Sequence, residues 1–255
     1  MASTARRIAA AKEAAPLATL ISETEPQRTR RSLAGALRSS GMSLVAEVKG
    51  ASPSRGTIRA DYEPVEIALA YERAGAAALS VLTEPEFFGA DLPRLWKIRD
   101  RVQLPLLRKD FIIDEYQLYE SVRYGADAIL LIVGAVSDGE LGILVEKARN
   151  MGLQVLLEAT NAGQLAVALA TEADIIGINN RDLRTLEIDT SNSLRLAEQA
   201  KRDLGGRPLI AESGIETRQD VQALEDAGFD AILVGTALMS SDDIEGKIMD
   251  LLATT

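Results

Sequence analysis

Leu44-Val45-Ala46-Glu47-Val48-Lys49 is an apolar run whose charged residues stand only at its end, just before a turn. Four further runs have the same design, and they span residues 106–110, 155–158, 175–179 and 209–213. Apolar strands with polar tips are typical of barrel enzymes, in which the strand bodies fill the core and the tips face the substrate. Five such tips in one chain predict a single shared site.

A six-residue repeat is spaced along the chain. AGAAAL at residues 74–79 resembles YGADAI at 124–129 and AGFDAI at 227–232, and TEADII at 171–176 is a degenerate copy. Each copy reads as a helix that stops at glycine, a short turn and a buried strand. The copies are 50, 47 and 56 residues apart, counted between positions 75, 125, 172 and 228. Each interval has room for one more strand and two helices, so the four copies predict eight βα units.

The predicted strands begin near residues 44, 77, 105, 127, 153, 173, 207 and 229. They are short, apolar and non-alternating, which is typical of parallel strands buried on both faces. We therefore predict an α/β protein: a (β/α)8 TIM barrel at residues 44–255, preceded by an N-terminal helical extension at residues 1–43 that caps the barrel. The alternative is an open doubly wound sheet, which would normally leave an edge strand of alternating polarity.

Helix signals fit this arrangement. Pro64 suits a first helical position, Ser137 with Glu140 forms a capping box, and Thr217 with Asp220 forms a weaker one. Helical stretches are also predicted near residues 4–14 and 31–38, where they would cap the barrel or lie over its mouth.

Composition restricts the chemistry. The 255 residues include no Cys and no His, which excludes disulfides, thiol nucleophiles, Cys/His zinc sites and imidazole acid–base catalysis. Residues 1–40 carry a net charge of +4 within a chain whose net charge is −10. The acidic remainder argues against a nucleic-acid partner. The sequence has no apolar run long enough to cross a membrane and no apolar core of a secretory signal, so we expect no membrane partner and a cytoplasmic location.

Charged strand tips are the first functional signal. Residues two apart in a strand share a face, so Glu47 and Lys49 both point inward. They are joined at the predicted mouth by Lys109, Glu158, Asn179 and Glu212. An ion-pair network that only closes the top of the barrel is the alternative reading, but buried charge is a poor way to stabilise a core. We expect the mutual fields to shift pKa values in both directions, which suits acid–base catalysis.

Two further groups of residues complete the predicted site. Glycines after the last two strands would let backbone N–H groups approach a phosphate, the usual anion position in such barrels, and a hydroxyl after the first strand would assist; this group is Ser213, Gly214, Gly235, Thr236 and Ser52. A flat apolar slot is predicted from Phe88, Phe111, Leu130, Ile132 and Leu183. Arg181 is predicted either to bind an anion or to pair with a neighbouring acid.

Several stretches resemble the indole-3-glycerol-phosphate synthase family. They are AEVK at 46–49, ASPS at 51–54, SVLTE at 80–84, LRKDFI at 107–112, GINNRDL at 177–183 and ESGI at 212–215. The resemblance runs from about residue 32 to 243 and implies a carbon–carbon lyase of tryptophan biosynthesis that uses no cofactor or metal. It implies a phosphorylated substrate, 1-(2-carboxyphenylamino)-1-deoxyribulose 5-phosphate, whose indole ring is closed with loss of carbon dioxide and water.

The resemblance also implies roles for individual residues. Lys109 is the general acid of ring closure, Glu158 is the base of dehydration, and Lys49 either orients the substrate carboxylate or acts as the second acid. Glu47, Asn179 and Glu212 hold the lysines and the sugar hydroxyls. We further expect crowding by Lys49 and partial desolvation to lower the pKa of Lys109.

Other functions are possible for a barrel of this kind. A phosphoribosylanthranilate isomerase would commonly use Asp with Cys, and the chain has no Cys. A non-catalytic binder would have lost a lysine or glutamate from a strand tip, and none of the expected ones is missing. We expect a monomer, and association with other enzymes of the pathway is left open.

Overall fold

The fold is a closed barrel of eight parallel strands, seen in a computed structural model that describes residues 2–23, 30–38, 41–52, 56–59 and 62–253. The barrel strands are β1 Ser43–Val48, β4 Ala78–Leu82, β5 Leu106–Lys109, β6 Ala128–Ile132, β7 Gln154–Ala159, β8 Ile175–Asn179, β9 Leu209–Glu212 and β10 Ala231–Val234. They neighbour one another in the order β1-β10-β9-β8-β7-β6-β5-β4, and β4 closes onto β1. A two-stranded antiparallel hairpin, β2 Ala51–Ser52 and β3 Gly56–Thr57, follows the first barrel strand. The predicted TIM barrel is confirmed.

Helices alternate with the strands and surround the barrel. Before β1 lie α1 Ala2–Ala14, α2 Leu17–Glu23 and α3 Leu33–Ala36. The remaining helices are α4 Pro64–Arg73, α5 Pro85–Phe88, α6 Pro93–Arg99, α7 Glu115–Arg123, α8 Asp138–Asn150, α9 Ala162–Leu169, α10 Ser191–Asp203, α11 Arg218–Asp226, α12 Thr236–Met239 and α13 Ile244–Leu252. In the part of the chain that the structure describes, no helix combines the length and the hydrophobicity that crossing a bilayer requires.

Each barrel strand is buried on both faces, which explains the absence of alternation in the sequence. In β6, Ala128, Leu130 and Ile132 pack inside the barrel, whereas Ile129 and Leu131 pack under the surrounding helices. The core therefore has two layers, one inside the barrel and one between the barrel and its helices.

Helix boundaries follow the predicted signals. Both capping boxes, Ser137–Glu140 and Thr217–Asp220, are formed, and Pro64 occupies the first turn of α4. The glycines of three repeat copies follow helix ends in the left-handed region, with φ between 83° and 91°, a conformation that glycine adopts without steric cost.

The repeat has a second structural reason that the sequence pattern did not reveal. In three copies an aspartate precedes the strand and its carboxylate accepts the backbone N–H at the start of a neighbouring strand. Asp127 accepts from Leu106 at 2.9 Å, and Asp230 accepts from Leu209 at 2.8 Å. Asp174 likewise accepts from Val155 in β7 at 2.9 Å. These aspartates satisfy backbone donors at the bottom of the barrel. Of the eight barrel strands, all except β1 begin one or two residues later than predicted.

The N-terminal segment contacts both ends of the barrel. Helix α3 closes the bottom, where Leu33 and Leu37 pack into the inner core and the N–H of Ala34 donates to the Gln154 side chain at 3.0 Å. Helix α1 lies near the opposite end, where Arg7 pairs with Asp110 just after β5. Helix α2 was not predicted. The division at residues 43 and 44 remains a prediction, since α3 and the barrel share one core.

Candidate active site

The carboxyl ends of the strands surround one cavity of about 350 Å³. Of the side chains predicted to form the site, that of Ser52 falls outside the described part of the chain. All the other predicted positions line this cavity: Glu47, Lys49, Phe88, Lys109, Phe111, Leu130, Ile132, Glu158, Asn179, Arg181, Leu183, Glu212, Ser213, Gly214, Gly235 and Thr236. The closed barrel brings strand tips that are far apart in sequence to one place.

Two ammonium groups and three carboxylates form the floor of this cavity. Lys109 Nζ lies 2.9 Å from Glu212 Oε2 and 3.3 Å from Glu158 Oε2. Lys49 Nζ lies 2.5 Å from Glu47 Oε1. The glutamate side chains are almost fully buried, while Lys49 and Lys109 keep 11% and 17% of their side-chain surface exposed. The carboxylates are therefore fixed beneath ammonium groups that remain accessible from the cavity.

Asn179 orients Glu158, one of the two carboxylates that contact Lys109. Its Nδ2 donates to Glu158 Oε1 at 2.9 Å, and its Oδ1 accepts the backbone N–H of Arg181 at 2.9 Å. The second hydrogen bond fixes which end of the amide faces Glu158. Both oxygens of Glu158 are thus partnered, one by Asn179 and one by Lys109.

The charges shift pKa values in opposite directions, as the sequence predicts. Burial alone would raise the pKa of Glu47, but the ammonium groups of Lys49 and Lys109 reverse this and lower it. Burial raises the pKa of Glu212 to about 7, with repulsion from Glu158 and Glu47 acting in the same direction. The attraction of Lys109 for Glu212 is too small to offset these effects.

The predicted direction for the pKa of Lys109 is wrong. Burial does act to lower this pKa, but the fields of Glu212, Glu158 and Glu47 outweigh it and raise the pKa above its ordinary value. The prediction assumed that the neighbouring ammonium group of Lys49 would dominate. Three carboxylates surround Lys109 instead, so it carries its proton at neutral pH.

An apolar wall stands above the charged floor. The side chains of Phe88, Phe111, Leu130, Ile132 and Leu183 line it. Phe111 also packs edge-to-face against the exposed Phe87, with ring centroids 6.3 Å apart and an interplanar angle of 89°. Leu130 and Ile132 come from the barrel interior, Phe111 and Leu183 belong to loops after strands, and Phe88 is the last residue of α5. The wall suits a flat aromatic ring.

A polar rim lies at the ends of β9 and β10. Ser213 and Gly214 both have left-handed backbones, with φ of 68° and 77°. The strain at Ser213 is held in place by Asn180, whose Nδ2 donates to the Ser213 carbonyl oxygen at 2.9 Å. Left-handed non-glycine residues cluster at functional sites. Across the rim, α12 begins at Thr236 after Gly235.

Arg181 forms part of the loop that follows β8. Its guanidinium donates to the Leu186 carbonyl oxygen at 3.0 Å, and its charge contributes to the lowered pKa of Glu47. Arg181 was predicted either to bind an anion or to pair with a neighbouring acid. The observed hydrogen bond goes to a backbone carbonyl oxygen, so it matches neither role.

The cavity has further lining residues that sequence reasoning missed: Leu82, Glu84, Asp110, Ile188, Ile215, Glu216, Leu233, Val234 and Ala237. Asp110 directly follows β5 and Glu84 lies two residues after β4, so the rule that identified the other tips could also have identified them. Glu84 accepts the N–H groups of Glu86 at 3.1 Å and Phe87 at 2.6 Å, which fixes the start of the helix carrying Phe88. Ile188 gives no local signal, because it reaches the cavity through the path of a long loop.

Comparison with known proteins agrees with this site. The family model described as indole-3-glycerol phosphate synthase matches residues 1–251. The chain belongs to the indole-3-glycerol phosphate synthase family. The synthase of Dehalococcoides mccartyi strain CBDB1 is 49% identical over 219 residues, which cover 82% of this chain and 81% of that protein. The synthase of Laribacter hongkongensis is 42% identical and covers 99% of this chain and 97% of its own.

Solved structures with the same architecture are more distant in sequence from this member of the synthase family. A mutant tryptophan synthase alpha-subunit from Pyrococcus furiosus has a TM-score of 0.65 at 18% identity, covering 83% of this chain and 98% of its own. The thiamine phosphate pyrophosphorylase of the same organism has a TM-score of 0.60 at 16% identity, with 82% and 93% covered. These likenesses show the fold alone. The predicted family and carboxy-lyase function in tryptophan biosynthesis are confirmed by the family match and the synthase relatives.

Proposed function

We propose that this chain converts 1-(2-carboxyphenylamino)-1-deoxyribulose 5-phosphate into indole-3-glycerol phosphate, carbon dioxide and water, with Lys109 as the acid of ring closure. The observation that carries the proposal is the contact of Lys109 with both Glu158 and Glu212 at the floor of the cavity. A protonated, partly exposed ammonium group can donate to an oxygen above it, and the carboxylates below hold it in position.

Ring closure joins a carbon of the anthranilate ring to the ribulose carbonyl carbon. As that bond forms, the carbonyl oxygen takes a proton from Lys109 and becomes a hydroxyl group. The raised pKa of Lys109 keeps the acid charged in the free enzyme. A carboxylate on the substrate then leaves as carbon dioxide, and its bonding electrons restore the aromatic ring.

In dehydration an acid protonates the new hydroxyl group, which leaves as water, while a base takes a proton from the neighbouring ring carbon and a ring double bond forms. Glu158 is the proposed base, because it is ionisable, is fixed by Asn179 and faces Lys109. Lys49 either orients the substrate carboxylate or supplies the second proton. Its pairing with Glu47 at 2.5 Å fixes the ammonium group for either role.

The polar rim and the apolar wall would orient the substrate between them. The proposed phosphate group lies by Ser213, Gly214, Gly235 and Thr236, where left-handed backbone and the start of a helix present N–H donors. The proposed anthranilate ring lies against Phe88, Phe111, Leu130, Ile132 and Leu183. Arg181 is proposed to bind a substrate anion, and Ser52 to add a hydroxyl group to the phosphate site.

The proposal predicts the outcome of removing the acid. Lys109→Met should reduce kcat by about a thousandfold or more, because among the described residues no second lysine contacts both Glu158 and Glu212. The assay is the growth of indole fluorescence when purified protein is mixed with the substrate. Circular dichroism and thermal unfolding would show that the variant is folded.

The matched control is Lys97→Met, which makes the same change at an exposed position of α6 and should leave kcat unaltered. Full activity in Lys109→Met would refute the assigned role. An assay of the same preparation for phosphoribosylanthranilate isomerase activity would separate the two barrel enzymes.

We also propose that the protein acts as a monomer in the cytoplasm, without a nucleic-acid or membrane partner. Light scattering of the purified protein would measure its mass, against 27.4 kDa for one chain. Mixing with other tryptophan-pathway enzymes in the same experiment would reveal association.

A further inference from the structure

Gly177 has no backbone reason to be glycine. It lies in β8, level with Glu158 in β7 and Ile210 in β9. Its φ angle is not positive, so this conformation is open to any L-residue. A glycine inside a strand weakens the strand and often marks a place where another group approaches closely. The reason for glycine therefore lies in the space around it.

That space is filled by the carboxyl group of Glu212. A Cβ atom on residue 177 would stand 2.5 Å from Glu212 Oε1 and 3.1 Å from Leu156 Cδ1. Glu212 Oε1 is completely buried, and no hydrogen-bond donor among the described residues reaches it. The oxygen is therefore located by packing against the bare Cα of Gly177.

The other oxygen of Glu212 contacts the proposed acid. Oε2 accepts from Lys109 Nζ at 2.9 Å, and the same ammonium group lies 3.3 Å from Glu158. A displacement of the Glu212 carboxyl group would therefore displace or reorient the ammonium group. Displacements of about 1 Å can cost about a hundredfold in rate.

We infer that Gly177 is a positioning residue, whose missing side chain forms the niche that seats the Glu212 carboxyl group and thereby sets the place of the Lys109 ammonium group. This inference rests on the proposed function, in which Lys109 is the acid.

Gly235 repeats the arrangement at the second ion pair. A Cβ atom there would lie 2.8 Å from Lys49 Nζ and closer still to Glu47 Oε1. Its φ of −127° again does not require glycine. The Lys109–Glu212 pair and the Lys49–Glu47 pair thus each depend on space left by a glycine.

The test is Gly177→Ala, compared with Gly142→Ala in α8, where a new Cβ would meet nothing within 4 Å. We expect Gly177→Ala to lower kcat by about tenfold to a hundredfold and to change KM by less than about threefold, since the phosphate and ring contacts are untouched. The pH–rate profile should also shift, because the partners of Lys109 move. Gly142→Ala should match the wild type in all three measurements.

A double variant distinguishes a steric clash with Glu212 from a general disturbance of strand β8. In Gly177→Ala/Glu212→Asp the shortened acid leaves room for the new methyl group. We therefore expect its kcat to equal that of Glu212→Asp alone, because the contact that remains, with Leu156 Cδ1 at 3.1 Å, does not involve the ion pairs. If the loss of kcat in the double variant instead equals the product of the losses in the two single variants, the inference is overturned. The double variant and Glu212→Asp can still be compared if Gly177→Ala by itself folds poorly.

Two failures are distinguishable. A wild-type protein without synthase activity would refute the proposed function. An active wild type together with a fully active Gly177→Ala variant would refute the positioning role and leave the function intact.

Discussion

The floor of the cavity contains more carboxylates than ammonium groups. Glu47, Glu158 and Glu212 face Lys49 and Lys109, so full ionisation would leave this buried cluster with an excess negative charge. Glu212 relieves the excess by its pKa of about 7, which burial and the two other carboxylates produce. Burial and carboxylate repulsion therefore favour the protonated form of Glu212 more than in a free glutamate.

This raised pKa predicts how stability depends on pH. The folded protein holds the Glu212 proton more tightly than the unfolded chain, whose carboxyl group has its ordinary value of 4.5. The resulting stabilisation is complete below pH 4.5 and is lost as the pH rises through about 7. Glu212→Gln carries no charge at any pH and should avoid this loss.

We expect the free energy of unfolding of Glu212→Gln to rise relative to the wild type by roughly 1–3 kcal/mol between pH 5 and pH 8. Urea titrations at several pH values would measure it. The control is Glu146→Gln on the exposed face of α8, for which the difference from the wild type should stay constant. A constant difference for Glu212→Gln would contradict the raised pKa.

Helix α1 is bound to the segment that follows Lys109. Arg7 makes two hydrogen bonds to Asp110, at 2.7 and 3.1 Å, across 103 residues of sequence. Lys12 pairs with Asp114 at 2.7 Å, and the Tyr116 hydroxyl donates to the carbonyl oxygen of Ala15 at 3.0 Å. The carboxylate of Asp110 is fully buried and also accepts from Arg108, Thr83 and the N–H of Phe111.

Loss of Arg7 should therefore affect the site as well as stability. We expect Arg7→Met to lower kcat/KM by about threefold to thirtyfold, because Asp110 directly follows Lys109 and binds the backbone of Phe111. The free energy of unfolding should fall by about 1–3 kcal/mol, since a buried carboxylate loses one of its partners. Steady-state kinetics and urea unfolding would measure the two effects.

Arg73→Met is the matched control, because Arg73 also forms a two-hydrogen-bond pair, with Glu245, but on the surface between α4 and α13. Both partners are well exposed, so we expect a change of about 0–1 kcal/mol in stability and none in kinetics. Equal kinetic effects in the two variants would show that α1 does not position the segment after β5.

The whole molecule is a barrel whose ends have different tasks. The bottom is closed by α3, whose Leu33 and Leu37 complete the inner core beneath Val45 and Leu107. The polar floor and the cavity occupy the opposite end. Stability and catalysis are therefore separated along the barrel axis, as is usual in this fold.

This separation predicts a variant that is destabilised but active. Leu33 is fully buried, so Leu33→Ala should lower the free energy of unfolding by about 2–5 kcal/mol. Its kcat should stay within about twofold of the wild type at temperatures where it is folded. Leu194→Ala, at a side chain 41% exposed in α10, is the control and should cost less than about 1 kcal/mol. A large loss of kcat in Leu33→Ala would show that the two ends are coupled.

Much of this arrangement is readable from the chain itself. Local backbone chemistry determines three of its features: the non-alternating apolar runs, the helix ends at glycine, and strand tips such as Glu158. Short stretches of sequence are therefore enough to predict them. The repeat predicted the number of βα units because each copy ends one helix and starts one strand. The seven-residue helix α2, Leu17–Glu23, was missed, because it is short and no Ser, Thr, Asp or Asn stands directly before it.

Contacts between distant segments were decided only by the tertiary structure. The pKa of Lys109 depends on carboxylates that lie 49 and 103 residues further along the chain, so no local pattern could give its direction. The niche at Gly177 and the pairing of Arg7 with Asp110 are likewise contacts between residues far apart in sequence, which a local pattern does not show. Sequence determined which groups stand at the strand ends, because side-chain alternation and turns are local. Barrel closure determined the distances between those groups, and electrostatic and steric effects depend on those distances.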